Sequence, residues 1–121
     1  MIGDVVAEAL VVLAIDEVAR MGTAVFSPAE LGYAKSKADP ERRLAARLAA
    51  KRAACQALGG EVAPEDVEVA RSSHAAPRLR LAARAEARLK ALGAGRALVS
   101  LTHGRTHAAA VVLLLRAGTR R

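Results

Sequence analysis

Apolar residues recur at helical spacing between residues 39 and 60, the longest periodic stretch of the chain. Alanines fill the gaps between the larger apolar residues, and this pattern predicts a long amphipathic helix. Asp39 suits the N-cap position, Pro40 suits the first helical position, and Gly59 and Gly60 end the pattern. The predicted core face consists of Leu44, Leu48, Cys55 and Leu58. The flanks carry a cationic edge that we expect to be solvated, formed by Arg43, Arg47, Lys51 and Arg52.

Shorter patterns on both sides of this helix predict the other elements. The apolar run Leu10–Ile15 predicts a buried strand after an N-terminal extension of residues 1–8. A capping box at residues 27–30 starts a helix that runs to about Lys37. The remaining predictions are strands around Val67–Val69 and Leu79–Leu81, a helix over 82–92, and a closing hairpin of 97–102 with 108–115 around Gly104. The order β-α-α-β-β-α-β-β predicts one α+β domain over residues 1–121.

Composition adds an expectation about assembly and partners. The 53% of hydrophobic residues is mostly alanine, with one Phe, one Tyr and no Trp, so a monomer would have a thin core and we expect an oligomer. The formal net charge of +7 favours anionic partners. Basic residues are spread along the chain and aromatic stacking platforms are absent, and both features disfavour nucleic acid as a ligand. The positive net charge is the only feature that favours it.

The sequence also bears on location and redox chemistry. Apolar runs are shorter than the roughly 18 to 20 residues that span a bilayer. Asp4 and Glu8 stand where a signal peptide would carry basic residues, so we expect a cytoplasmic protein. The single Cys55 cannot form an internal disulfide, and its position on the apolar face predicts an inert core thiol.

Four short segments resemble a known family. Residues 47–53, Arg-Leu-Ala-Ala-Lys-Arg-Ala, are similar to the R-F-A-A-K-E-A motif of holo-acyl-carrier-protein synthases, which are small phosphopantetheinyl transferases. Segments 15–20, 66–69 with 77–79, and 99–103 resemble its strands in the same order. The resemblance implies the 4′-phosphopantetheinyl transferase-like fold, a small antiparallel sheet packed on a long helix. It also implies a trimer that binds coenzyme A between subunits.

The chain departs from this family at the positions that hold magnesium. The resemblance implies one carboxylate on the first strand and the glutamate of the motif, and here these positions are Ala14 and Arg52. If the strand continues, Asp16 points to the same face about 6 to 7 Å further along and offers one carboxylate. Arg52 instead offers a guanidinium that could contact a pyrophosphate directly. A guanidinium cannot ligate a cation, so the sequence disfavours magnesium and predicts no metal ligand.

The resemblance also supplies candidate site residues. It implies a pocket for coenzyme A or a phosphopantetheine arm, with Arg47, Lys51, Arg52, Thr102 and His103 as its cofactor-binding residues. His103 is a candidate acid or base and Asp16 a second catalytic candidate; alternatively, His103 is a structural residue bonded to neighbouring backbone. His107 could face His103 across Gly104 as part of a metal site, and His74 belongs to a solvated loop.

The segment that docks the acidic carrier protein in the family is shortened here. Only Met21–Val25 separate Arg20 from the next capping segment, too few residues for a docking helix. We therefore expect a degenerate relative without transferase activity that acts as a binding or assembly partner in fatty-acid or polyketide biosynthesis. The alternatives are a repurposed enzyme that uses His103, and a divergent active transferase that uses Asp16. The expected partners are further copies in a homotrimer, a paralogue in a mixed oligomer, and acyl carrier protein.

Overall fold

A long helix packs against a three-stranded antiparallel sheet. The computed structural model describes residues 4–71 and 76–118. The elements in chain order are β1 Val5–Ala14, α1 Glu17–Met21, α2 Pro28–Lys35, α3 Pro40–Ala57, a 3-10 turn Pro64–Asp66, β2 Val67–Ala70, β3 Arg78–Leu81, α4 Ala83–Ala91, β4 Ala94–His103 and β5 His107–Arg116. The sheet has the order β1-β5-β4, and β2 and β3 form a separate hairpin. The predicted α+β order is confirmed, with α1 and the 3-10 turn as additions.

Helix α3 is enclosed on nearly all sides. Six of its alanines are almost completely buried, so the helix lies close to the sheet on one side and to α2 and β2 on others. Consequently Arg47 and Lys51 are only 2% and 1% exposed. The predicted solvated edge is therefore wrong for these two residues, whereas Arg43 and Arg52 are half-buried.

The C-terminal end of α3 agrees with the sequence prediction more fully than its N-terminal end does. Asp39 is the N-cap residue and Pro40 the first helical residue, as predicted, but the Asp39 side chain makes no capping bond and its Oδ1 accepts instead from Arg43 Nε at 3.1 Å. Gly59 and Gly60 adopt φ values of +95° and +79°, which favour glycine, and they follow the end of the helix as predicted.

Cys55 is half-buried, and burial raises the pKa of its thiol.

Strand β1 begins at Val5, five residues earlier than predicted, and it ends at Ala14. Its odd residues Val11 and Leu13 face α3 and are buried, whereas Leu10 and Val12 are 66% and 60% exposed on the other face. The same outer face continues across β5 and reaches Leu98 of β4, which is 40% exposed. Within 4–71 and 76–118, no helix combines the length and apolar character needed to cross a bilayer.

Helix α2 starts with the predicted capping box. Ser27 Oγ accepts from the backbone N–H of Glu30 at 3.1 Å, and Glu30 Oε1 accepts from the backbone N–H of Ser27 at 2.9 Å. The helix ends at Lys35, two residues before the predicted end. The capping box fixes the entry of α2 beside β2, where Glu30 becomes buried.

Candidate functional site

Three of the predicted cofactor-binding residues line one cavity of about 180 Å³. Helix α3 contributes Arg43 and Arg47 one turn apart, and the end of β4 contributes Thr102 and His103. Arg71, which follows β2, completes the cationic lining of this His103 cavity. The sequence missed Arg71, because nothing near it in the chain marks a site.

Arg47 is the central cation of the His103 cavity. Its guanidinium carbon lies 4.1 Å from the centroid of the Tyr33 ring. Its Nε is buried and has no hydrogen-bond partner within the described ranges 4–71 and 76–118. Burial lowers the pKa of the guanidinium, because desolvation disfavours the charged form. An anion in the cavity would compensate this charge, and a phosphate group suits the planar guanidinium.

His103 is half-buried at the end of β4, and Asp39 and Arg43 lie nearby. The hydrogen bond from Arg43 chiefly lowers the pKa of Asp39, and the charge of His103 contributes a smaller lowering. Within the part of the chain that the structure describes, the His103 ring makes no hydrogen bond to a neighbouring backbone group. The ring is therefore available to a ligand in the cavity.

Lys51 lies outside the His103 cavity. Its Nζ is 2.9 Å from Glu30 Oε1 and also donates to the Val67 carbonyl. The Glu30 carboxylate further accepts from the backbone N–H groups of Ser27 at 2.9 Å and Val69 at 2.7 Å. The side chains of Lys51 and Glu30 are 1% and 0% exposed. The charge of Lys51 is thus matched within the fold, and its predicted role in cofactor binding stays a prediction.

Arg52 faces α1, on a different side of α3 from the His103 cavity. Its Nη2 is 3.2 Å from Glu17 Oε2 and 2.8 Å from Met21 Sδ. Glu17 also accepts from Arg20 Nη2 at 2.9 Å. The pKa of Glu17 is lowered, chiefly by the hydrogen bond from Arg20 and then by that from Arg52. Sequence reasoning did not predict α1 and therefore missed this pair.

Asp16 does not continue strand β1. It is the residue before α1, with φ −71° and ψ −5°, and its side chain is 74% exposed and 3.6 Å from Arg20. Asp16 and Ala14 nevertheless line the same cavity of about 450 Å³, together with Glu41, Arg105, Thr106 and His107. His107 lies here, with its Nδ1 2.9 Å from Thr106 Oγ1, so the two predicted histidines line different cavities. His74 lies outside the described residues.

The residues at the two predicted metal positions do not suit a magnesium ion. Ala14 offers a methyl group, and Arg52 brings a positive charge that is paired with Glu17. Magnesium prefers oxygen ligands, and the Glu17 carboxylate is already bonded to two guanidinium groups. In the described part of the chain, no group of three or more His, Cys, Asp and Glu side chains could hold a metal ion.

Comparison with curated proteins identifies the family. The chain is 41% identical over 98 residues to the holo-[acyl-carrier-protein] synthase of Moorella thermoacetica, and the match covers 78% of this chain and 77% of that protein. The chain belongs to the holo-[acyl-carrier-protein] synthase family. It is 52% identical over 81 residues to the synthase of Nitratidesulfovibrio vulgaris, and this match covers 64% of the chain and 65%, just under two thirds, of that protein. No family model matches the chain.

Solved structures of the synthase family share the fold. The acyl carrier protein synthase of Mycobacterium tuberculosis is 31% identical with a TM-score of 0.76, and the match covers 93% of this chain and 98% of that one. The Helicobacter pylori synthase, solved in complex with coenzyme A, is 23% identical with a TM-score of 0.72. That match covers 88% of this chain and 98% of the other and supports the fold alone. The predicted 4′-phosphopantetheinyl transferase-like fold is confirmed.

Proposed function

We propose that this chain is a synthase-family protein that binds coenzyme A or a phosphopantetheine arm without magnesium and has lost phosphopantetheinyl transfer. The observation that carries the proposal is the pairing of Arg52 with Glu17, together with Ala14 at the other metal position. Arg52 offers no oxygen ligand, and it engages the Glu17 carboxylate that a divalent ion could otherwise use. The chain then acts as a binding or assembly partner in fatty-acid or polyketide biosynthesis, in the cytoplasm.

The His103 cavity supports the ligand part of the proposal. Coenzyme A carries phosphate groups, and the cavity gathers Arg43, Arg47, Arg71 and His103 around a small volume. In this proposal the arginines bind a phosphate through charge-assisted hydrogen bonds. The Thr102 side chain alternates onto the outer face of the sheet with Leu98. We infer coenzyme A or a phosphopantetheine arm as the ligand class from this cationic lining and from the family of the chain.

The outer face of the sheet supports a homotrimer. Leu10, Val12 and Leu98 are exposed there, and Val111 and Leu113 of β5 lie between them. A contiguous apolar face of this kind is typical of an interface. Arg52 and the His103 cavity lie on different sides of α3, so in this proposal one copy contributes Arg52 and its neighbour the His103 cavity to a shared site.

Binding of an acyl carrier protein is the less supported part of the proposal. The net charge of +7 favours an acidic partner. However, α1 has only five residues and ends at Met21, and residues 22–27 form no helix. In this proposal the carrier protein therefore binds more weakly than it would to a full docking helix.

The proposal is tested by incubating the chain with apo carrier protein, coenzyme A and magnesium, and by measuring the intact mass of the carrier. We expect no carrier to gain the phosphopantetheine arm. Isothermal titration calorimetry should show coenzyme A binding that is unchanged by a chelator. Arg43→Gln should weaken that binding by about tenfold, because it removes one charged donor. Carrier that gains the arm, or binding abolished by the chelator, contradicts the proposal.

A second candidate function, a divergent active transferase, is favoured by one feature of the site. Asp16 lines the same cavity as Ala14, so a carboxylate is present near the lost position. The relatives at 41% and 52% identity are named synthases. On this alternative, the mass of the carrier increases in the assay above, and both Asp16→Asn and a chelator abolish the increase.

A further inference from the structure

A separate cavity of about 270 Å³ lies on the other side of Arg47, between α2 and the β2–β3 hairpin. We call it the hairpin cavity. Tyr33 of α2 and Arg47 of α3 line it from the core side. Its hairpin side carries further charged residues, namely Glu68, Arg71, Arg78 and Arg80.

The charges that line the hairpin cavity do not balance. Four guanidinium groups are present against the single carboxylate of Glu68. That carboxylate is already engaged, because it accepts from Arg80 Nη1 at 3.0 Å and from Ser27 Oγ. Arg71 and Arg78 form no ion pair with any residue in the ranges 4–71 and 76–118. The hairpin cavity is thus strongly cationic.

Arg47 lines both the hairpin cavity and the His103 cavity. It is 2% exposed, and its buried Nε lacks a hydrogen-bond partner among residues 4–71 and 76–118. The Tyr33 ring lies against the guanidinium, whose carbon is 4.1 Å from the ring centroid. Burial chiefly lowers the pKa of Arg47, Tyr33 and the Glu30 carboxylate raise it, and the positive charge of Arg71 lowers it by less. An anion beside Arg71 would reduce the repulsion between the two guanidinium groups.

We propose that the hairpin cavity is a second anion-binding site that takes a phosphate-type dianion, either inorganic phosphate or the phosphate group of a small metabolite. Its volume is below the roughly 300 to 1,000 Å³ of sites for drug-sized ligands, which points to a small group. Planar guanidinium forks match the oxygens of a phosphate better than those of a monovalent halide. The two cavities share Arg47 and Arg71, so the residues that line one cavity each, Arg78 here and Arg43 in the His103 cavity, distinguish the two sites.

The test is a titration of the ¹⁵N-labelled chain with inorganic phosphate at constant ionic strength, followed by amide NMR shifts. A saturable shift is expected at the amides of Val69, Ala70 and Leu79, which flank the cavity. Arg78→Gln should weaken this binding by about tenfold, because it removes one charged donor. Arg78 is exposed on β3, so its variant should keep the native spectrum, and Arg71→Gln serves as a second variant.

Two variants that also remove one positive charge serve as matched controls. Arg96→Gln changes an exposed arginine of β4 outside both arginine-rich cavities, and Arg43→Gln changes the His103 cavity alone. Both should leave phosphate binding at the hairpin amides within about twofold of the unmodified chain. The proposal is overturned if these amides show no saturable shift. It is equally overturned if Arg96→Gln weakens binding as much as Arg78→Gln, since the effect would then be one of net charge.

Discussion

The ion pair of Lys51 and Glu30 joins three elements at a single point. Lys51 projects from α3, Glu30 from the first turn of α2, and the pair contacts β2 through the Val67 carbonyl and the Val69 N–H. Neither side chain reaches solvent. Removing one member of such a pair leaves a buried charge without compensation. The pair therefore holds α2 and the hairpin in place around the two arginine-rich cavities.

Lys51→Met should lower the free energy of unfolding by about 3 to 5 kcal/mol, because it leaves the Glu30 carboxylate buried and partly uncompensated. Urea denaturation measures the change. Lys90→Met, on the exposed side of α4, is the matched control and should change stability by less than about 0.5 kcal/mol. Similar values for both variants would mean that Lys51 has no special role.

The pKa of Glu17 is lowered by its hydrogen bonds from Arg20 and Arg52. Arg52→Gln should raise this pKa, and Arg20→Gln should raise it further, because the bond from Arg20 is the larger cause. The pKa of Glu17 is lower in the folded than in the unfolded chain. Its ion pairs therefore stabilise the fold at pH values above the ordinary pKa of glutamate, and this stabilisation is lost as the pH falls through the pKa of the folded state. Carboxyl ¹³C NMR titration measures both shifts. An unchanged pKa in Arg52→Gln would contradict the pairing.

At the scale of elements, α3 depends on small residues along its length and on glycine at its end. The alanines permit close packing against the sheet, and Gly59 lets the chain turn away after Leu58. Arg88 of α4 occupies the space beside this turn, where its Nε donates to the Leu58 carbonyl at 2.8 Å. The end of α3 is thus also its contact with α4.

Gly59→Ala should lower the free energy of unfolding by about 1 to 3 kcal/mol. Its φ of +95° is unfavourable for alanine, and the added Cβ would lie 2.8 Å from Arg88 Nη2. Gly32→Ala, inside α2 with open space around its Cβ position, should instead raise stability by up to about 1 kcal/mol. Thermal or urea unfolding compares the two. Destabilisation of equal size in both variants would refute the strained turn.

For the whole molecule, the exposed apolar face of the sheet predicts assembly. Leu10→Glu should dissociate the proposed homotrimer, because it places a charge on the apolar face beside Val111 of β5. Ala87→Glu on exposed α4 adds the same charge elsewhere and should leave the oligomer intact. Sedimentation equilibrium measures both. A monomeric unmodified chain would contradict the homotrimer, and trimers that form only with a paralogue would indicate the mixed oligomer.

Local signals in the sequence predicted the order of elements, the capping box at Ser27 and the end of α3 at its glycines. They could not predict the burial of Arg47 and Lys51, because it depends on how α2, β2 and the sheet surround α3. The partner of Lys51 lies 21 positions earlier in the chain, where Glu30 was interpreted only as a capping residue. Helix α1 was missed because five residues carry no helical period. Of the five predicted cofactor-binding residues, Arg47, Thr102 and His103 line one cavity, Lys51 and Arg52 do not, and the binding role of all five stays a prediction.

The central claim is that Arg52 and Ala14 have removed the metal site. Electron paramagnetic resonance of Mn²⁺, which shares the oxygen-ligand preference of magnesium, measures this directly in the presence of coenzyme A. With the unmodified chain, we expect no saturable loss of the free Mn²⁺ signal beyond the loss that coenzyme A alone causes. A loss is expected for the double variant Ala14→Asp with Arg52→Glu, which restores two carboxylates. Saturable Mn²⁺ uptake by the unmodified chain that disappears in Asp16→Asn would contradict the account.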